Sequence, residues 1–364
     1  MFICRKSFIL TGIMVLMCVL QLLTGCTESQ GDTKAKNNSW AEHNEKQSNQ
    51  TSPVPKKQEN KDTFQRKMVV TSEYVAWVNN DGTVKVKYIS SELQTQEGIF
   101  TGDVVGNWKN VVSLNAGDIL CAFTEDGQLE SSPNYSAVID GMTSASAVVW
   151  PYLDEFTQVN RLIDGRLYGY GATGVLLTSE GSLYYVCDFS DTIESALKAE
   201  DVETFDDVFY LKADGSIHSF GKANASLSIG LDRIANRSDY IGLAVNRRAV
   251  FGLTSDGIVV TGNTAYSENS EAAKWTNVVK VVAGGEIVFA LRQDGTVRYA
   301  LPGGRTDEGF SKVLKWNNIR EIAVSQNGTE IAALTESGDI LMAVGEKSVH
   351  YGKEYYCEQF AEVE

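Results

Sequence analysis

The sequence predicts an all-β chain built as a ring of small antiparallel sheets, the propeller arrangement, and three observations predict it. A turn signal recurs seven times, ending in Gly82, Gly127, Gly181, Gly215, Gly257, Gly295 and Gly338. Each of these glycines has an apolar residue four positions before it (Val78, Phe123, Leu177, Leu211, Leu253, Leu291, Leu334) and another two after it (Val84, Leu129, Leu183, Ile217, Val259, Val297, Ile340). The spacing averages about 43 residues, the length of one propeller blade.

The clearest unit is Trp275 to Leu301, WTNVVKVVAGGEIVFALRQDGTVRYAL. VVKVVA is a β-branched apolar run broken by Ala283-Gly284-Gly285, and two further runs flank Gln293-Asp294-Gly295. An Asp-Gly pair between apolar runs signals a β-hairpin, and its type I′ form needs φ > 0 at both central residues. Asp81, Asp126, Asp214, Asp256 and Asp294 precede five of the seven glycines; Glu180 and Ser337 precede the others. A three-strand meander cannot bury its own faces, so it must stack on copies of itself. The period suggests about four strands per blade. Ala283 and its neighbours are expected at the inner end of a blade, near the axis. Met68-Val69-Val70 is the candidate for a strand that closes the ring by joining the C-terminal strands.

Three copies share more: Trp108-Lys109-Asn110-Val111, Trp275-Thr276-Asn277-Val278 and Trp316-Asn317-Asn318-Ile319, each shortly before its turn glycine. W-x-N-V-x-x-V-x-A-G followed by A-L-x-x-D-G-T-V resembles the regulator of chromosome condensation repeat over about residues 66–360. The resemblance implies a seven-bladed β-propeller of a kind that commonly serves as a protein-binding platform. The His that often follows Ala-Gly in that family is absent from every copy. Of the Trp-Gly that often closes the hairpin, only the Gly is kept, in Phe220-Gly221 and Thr261-Gly262.

Ahead of the repeats, Arg5-Lys6, the apolar stretch Phe8 to Leu23 and Leu23-Thr24-Gly25-Cys26 describe a secretory signal over residues 1–25. The alternative is a transmembrane anchor, for which the apolar run is slightly short of the ~20 residues a span needs. The tetrad looks like the lipobox of bacterial lipoproteins, so Cys26 is expected to carry a thioether-linked lipid and to anchor the chain to the membrane. Two or more acyl chains hold a protein stably where one is marginal. Residues 26–65 read as a disordered polar linker: charges balance, and Trp40, Val54 and Phe64 are almost its only large apolar residues.

The expected propeller, residues 66–364, carries the charge. Outside the signal and linker the chain holds 24 basic and 41 acidic residues, a net of −17 within a whole-chain net of −15. A cationic footprint for nucleic acid is therefore not expected. An acidic surface is most simply a solubilising one; the sharper alternative is a face for a basic partner. Beyond Cys4, Cys18 and Cys26 the cysteines are Cys121, Cys187 and Cys357, an odd count without C-x-x-C, and no disulfide is expected. The chain is expected to work as a monomer.

Irregular segments are where repeat proteins place function. Ser131 to Phe156 is the longest, and it offers Trp150 and Tyr152 as contact aromatics or as inter-blade packing. Ile193 to Ala199 reads as a short helix, followed by the acidic run Glu200, Asp201, Glu203, Asp206 and Asp207, which reads as a solvated loop, the alternative being a site for a cation or a basic partner. His43, His218 and His350 are the only histidines, and their flanks match no nucleophile motif. No metal or cofactor motif occurs. The function expected is a membrane-anchored extracytoplasmic lipoprotein whose propeller binds a protein or cell-wall ligand. The alternative is a polysaccharide-acting enzyme with a carboxylate pair in the central depression. Guanine-nucleotide exchange is disfavoured, because the lipobox puts the chain across the membrane from cytosolic GTPases.

Overall fold

In the computed structural model the described residues are 65–89, 105–116, 120–132, 156–157, 159–168, 173–189, 192–267 and 270–348. They form seven antiparallel sheets, each a meander in chain order. The first holds β1 (Met68–Val70), β2 (Tyr74–Val78) and β3 (Val84–Tyr88), and the second β4 (Val111–Ala116), β5 (Leu120–Thr124) and β6 (Leu129–Ser131). The third holds β7 (Leu162–Tyr168), β8 (Thr173–Thr178), β9 (Leu183–Phe189) and β10 (Thr192–Ala199), and the fourth β11 (Val202–Asp206), β12 (Phe209–Lys212) and β13 (Ile217–Ser219). The fifth holds β14 (Tyr240–Val245), β15 (Val250–Thr254) and β16 (Val259–Thr261). The sixth holds β17 (Val278–Gly284), β18 (Ile287–Arg292) and β19 (Val297–Ala300), and the seventh β20 (Ile319–Val324), β21 (Glu330–Thr335) and β22 (Ile340–Val344).

Middle strands such as β2, β5, β15 and β21 are buried along their whole length. A strand covered on both faces reads as a continuous apolar run instead of alternating. The covers are the neighbouring sheets. One apolar cluster joins each consecutive pair of sheets. A further cluster joins the seventh to the first through Ala332, Leu334 and Met342 against Met68, Val75 and Trp77. Seven sheets with seven shared cores make a closed seven-bladed β-propeller. The recurring tryptophans are wedges in it: Trp108, Trp275 and Trp316 each sit in the cluster between their own sheet and the preceding one.

The turn glycines explain the rest of the repeat. All seven have φ between +74° and +92°, but none of the preceding Asp, Glu or Ser residues does. The expected type I′ turn is therefore corrected. Gly82 N–H donates to the Asn79 carbonyl (3.0 Å) and Asn79 N–H to the Thr83 carbonyl (2.8 Å), and the other six turns repeat this pair of bonds. That is a three-residue loop, a type I turn closed by a left-handed glycine. The Asp earns its place through its carboxylate, as where Asp81 accepts from the Thr83 N–H (3.0 Å) and hydroxyl (2.6 Å). Six of the glycine carbonyls then accept from the first strand of the next sheet, for example Val278 N–H to Gly257 at 3.0 Å. The motif asparagines Asn110, Asn277 and Asn318 have φ of 54–57°, a left-handed conformation that Asn tolerates better than most residues.

Four further expectations are corrected. Six sheets have three described strands, not about four; in the fourth to sixth sheets the chain beyond the third strand forms helical segments, among them α1 (Ala225–Ile234) and α2 (Thr264–Ser267). Ile193 to Ala199 is no helix but part of β10, which extends the third sheet on the open edge of β9. The acidic run is no loop: Val202–Asp206 is β11, the axial strand of the fourth sheet, with Asp201 and Asp207 in left-handed positions at its ends. β1 pairs with β2 of its own sheet, Met68 opposite Trp77, so the first and last sheets close the ring by side-chain packing and not by a shared sheet. The signal segment, Cys26, Trp150, Tyr152, Cys357, His350 and all of the linker but Gln65 lie outside the described residues.

Candidate functional site

The first strands of all seven sheets, β1, β4, β7, β11, β14, β17 and β20, surround an axial cavity of about 290 Å³. Ala283 is on its wall, as the Ala-Gly signature predicts. The wall has two halves. Val69, Val70, Val282, Ala283, Ile322 and Ala323 make one side aliphatic. Asn115, Arg166, Thr204 and Asp206 make the other polar.

Arg66, just before β1, leaves its own sheet and reaches across the axis. Its carbonyl accepts from Leu114 N–H (2.8 Å) in the second sheet. Its guanidinium donates to the carbonyls of Gly165 (3.4 Å) in the third and Phe205 (2.9 Å) in the fourth, and lies over the Phe205 ring at 5.0 Å. The first strand of each meander is a sheet edge, and Arg66 uses the backbone groups those edges leave free.

Beneath Arg66 sits Asp164, 3 % exposed. Its Oδ1 accepts from the Ser113 hydroxyl (3.0 Å) and Gly165 N–H (2.8 Å), and Arg66 Nη2 lies 3.5 Å from Oδ2. Burial pushes this carboxyl above the usual carboxylate range, against the pull of Arg66 and of the two hydrogen bonds. Arg166 pairs with Asp206, whose Oδ2 accepts from Val245 N–H (2.6 Å), linking the third, fourth and fifth sheets. Lys280 pairs with Glu321 at 2.5 Å, linking the sixth and seventh. The buried Asn115 amide nitrogen has no hydrogen-bond partner among the described residues. The axial charges are thus cross-links between sheets, and Asp206 is the one carboxylate among the residues that line the cavity.

His218, on β13, stacks on Tyr210 at 5.5 Å, and its Nε2 lies 2.7 Å from Ser216 Oγ, which itself donates to Asp214 (2.5 Å). In a hydrolytic triad the acid holds the base and the base holds the hydroxyl. Here the acid holds the hydroxyl directly, and turns without a histidine repeat the same clamp, as in Asp294 and Thr296 (2.6 Å). Asp214 is held below the usual carboxylate range by these Ser216 bonds. Among the described residues no three His, Cys, Asp or Glu side chains gather as a metal site. Cys121 is a buried free thiol whose burial pushes it up to about 12.

Sequence reasoning passed over Arg66, Asp164, Arg166, Lys280 and Glu321. The available signal was a charge inside an otherwise apolar first strand, as in VVKVVA.

No family profile matches the chain, and no curated protein does. Among solved structures it is similar to yeast RCC1 (Prp20), determined bound to Kap60, at 12 % identity over 87 % of this chain and 86 % of that one, with a TM-score of 0.44. It is also similar to BamB from Moraxella catarrhalis (13 % identity, 79 % and 96 % covered, TM-score 0.39) and to YCF48 bound to D1 peptide (10 % identity, 77 % and 94 % covered, TM-score 0.45).

Proposed function

We propose that this chain is an extracytoplasmic lipoprotein, anchored through lipid on Cys26, whose propeller serves as a binding platform for a protein or cell-wall partner through its faces rather than its axis. The observation that supports this is the state of the axis. Arg66 lies across it, and its charges are committed to one another: Arg166 with Asp206, Lys280 with Glu321, Arg66 with Asp164. A carboxylate pair working as acid and base needs two acids free to exchange protons with substrate, and Asp206 is held by Arg166 and Val245. The stitched sheets hold the loops of each face in fixed relative positions, which lowers the entropic cost of docking.

Two experiments test this. Palmitate labelling in a bacterial host should mark the full chain and be lost in Cys26→Ala; equal labelling of both would refute the anchor. The full chain in detergent, immobilised and exposed to membrane and wall extract, should retain one protein in stoichiometric amount. Retention of glycan alone, with wall digestion abolished by Asp206→Asn, would instead establish the enzyme.

A further inference from the structure

The turn from β14 to β15 carries two consecutive arginines in a chain of net charge −15. It is held from several directions. Asn246 Oδ1 accepts from the N–H groups of Arg248 (2.9 Å) and Ala249 (2.9 Å). Arg247 N–H donates to the Gly285 carbonyl (3.0 Å) of the neighbouring sheet. The Arg248 carbonyl accepts from Asn263 Nδ2 (2.6 Å) and the Ser226 hydroxyl (3.2 Å). The backbone is fixed while both side chains are exposed.

A third arginine joins them. Glu286 accepts from Arg248 through Oε1 (Nη2 2.6 Å, Nε 2.7 Å) and from Arg305 through Oε2 (2.8 Å). These bonds hold Glu286 below the usual carboxylate range. Arg248 and Arg305 remain about half exposed, at 53 % and 51 %, and the Arg247 side chain makes no hydrogen bond or ion pair among the described residues. Two guanidinium groups on one carboxylate leave one positive charge unbalanced there, and Arg247, the preceding residue of the same turn, adds a second exposed positive charge. The carboxylate already present shows what the cluster accepts: Arg248 grips one oxygen with two N–H groups while Arg305 takes the other, the fork geometry that suits arginine to carboxylates.

We propose that Arg247, Arg248 and Arg305 form the docking surface for an acidic segment of a partner protein, with Glu286 standing where one partner carboxylate would bind. This rests on the platform reading and adds the place and the partner's chemistry. Charge complementarity selects the partner: exposed guanidinium groups attract carboxylates in an otherwise acidic chain, and the hydrogen-bonded turn removes the backbone part of the ordering cost.

The test is fluorescence anisotropy of the full chain in detergent with a labelled oligo-glutamate peptide. Arg247→Glu should weaken binding about tenfold or more, the usual scale for reversing a contact charge. Lys312→Glu, the same charge change at an exposed site elsewhere, should leave it nearly unaltered. Glu286→Gln removes the internal competitor and should tighten binding, an outcome that a merely structural arginine cluster would not give. Equal loss in Arg247→Glu and Lys312→Glu would reduce the effect to bulk charge and overturn the proposal. So would wild-type binding to polyphosphate or phosphatidylglycerol vesicles but not to the peptide. If the partner captured from extract is still retained by the Arg247→Glu chain, this surface is wrong while the platform reading stands.

Discussion

The six glycine stitches between consecutive sheets predict that chemically identical substitutions at equivalent turns will differ in cost. Gly215 and Gly338 both sit at positive φ, +82° and +92°, so alanine at either meets left-handed strain of about 1–2 kcal/mol. They differ in surroundings. A Cβ on Gly215 would lie 2.5 Å from the Ser238 carbonyl oxygen and 2.8 Å from its carbon, whereas one on Gly338 meets nothing within 4 Å among the described residues. The obstacle at Gly215 is backbone of the connection into the fifth sheet, which cannot rotate away. Moving it disturbs the Tyr240 N–H bond to the Gly215 carbonyl (3.1 Å). Overpacking of this sort costs about 1–3 kcal/mol. Gly338→Ala should therefore destabilise by about 1–2 kcal/mol and Gly215→Ala by about 2–5 kcal/mol. Urea unfolding followed by tryptophan fluorescence measures both, with equal slopes confirming that midpoints can be compared. Equal losses at the two positions would refute the stitch as the reason for the glycines, leaving backbone conformation alone.

The axial network makes two more predictions, and a buried thiol makes a third. Arg66→Ala should cost about 3 kcal/mol, because it strands the buried Asp164 as well as removing its own bonds, and Asp164→Asn added to it should recover part of the loss in a double-mutant cycle. Asp164 also gives a pH dependence. Its folded pKa is raised, so the native state holds this proton more tightly than the unfolded chain; the resulting stability is present below the unfolded value of 3.8 and is lost as pH rises through the folded value. Wild type should thus lose stability over that window relative to Asp164→Asn in parallel urea titrations, and superimposable profiles would refute it. Cys121, fully buried with a thiol raised to about 12, should resist alkylation in the native state and react on unfolding, as peptide mapping would report.

The repeat itself was legible because its causes are local. A left-handed glycine, the apolar residues at −4 and +2 and the W-x-N-V entry are short-range requirements repeated seven, seven and three times, and they suffice for blades and for their number. Even there the Asp-Gly pair misled: I′ and the three-residue loop share their glycine, and they differ in whether the residue before it is left-handed. Ile193 to Ala199 went wrong because helix spacing is a weak preference, while β9 offered an open edge whose hydrogen bonds only tertiary structure supplies.

The sequence by itself determined the propeller, its seven units and its acidic balance. Only the tertiary structure decided what lies at the axis and on the faces. Arg66 meets Gly165 and Phe205 across separations of 99 and 139 residues, and the arginine cluster joins Arg248 to Glu286 across 38. Ring closure creates such contacts between side chains whose own segments give no sign of one another, since each segment encodes its strand and the stacking of blades sets who faces whom.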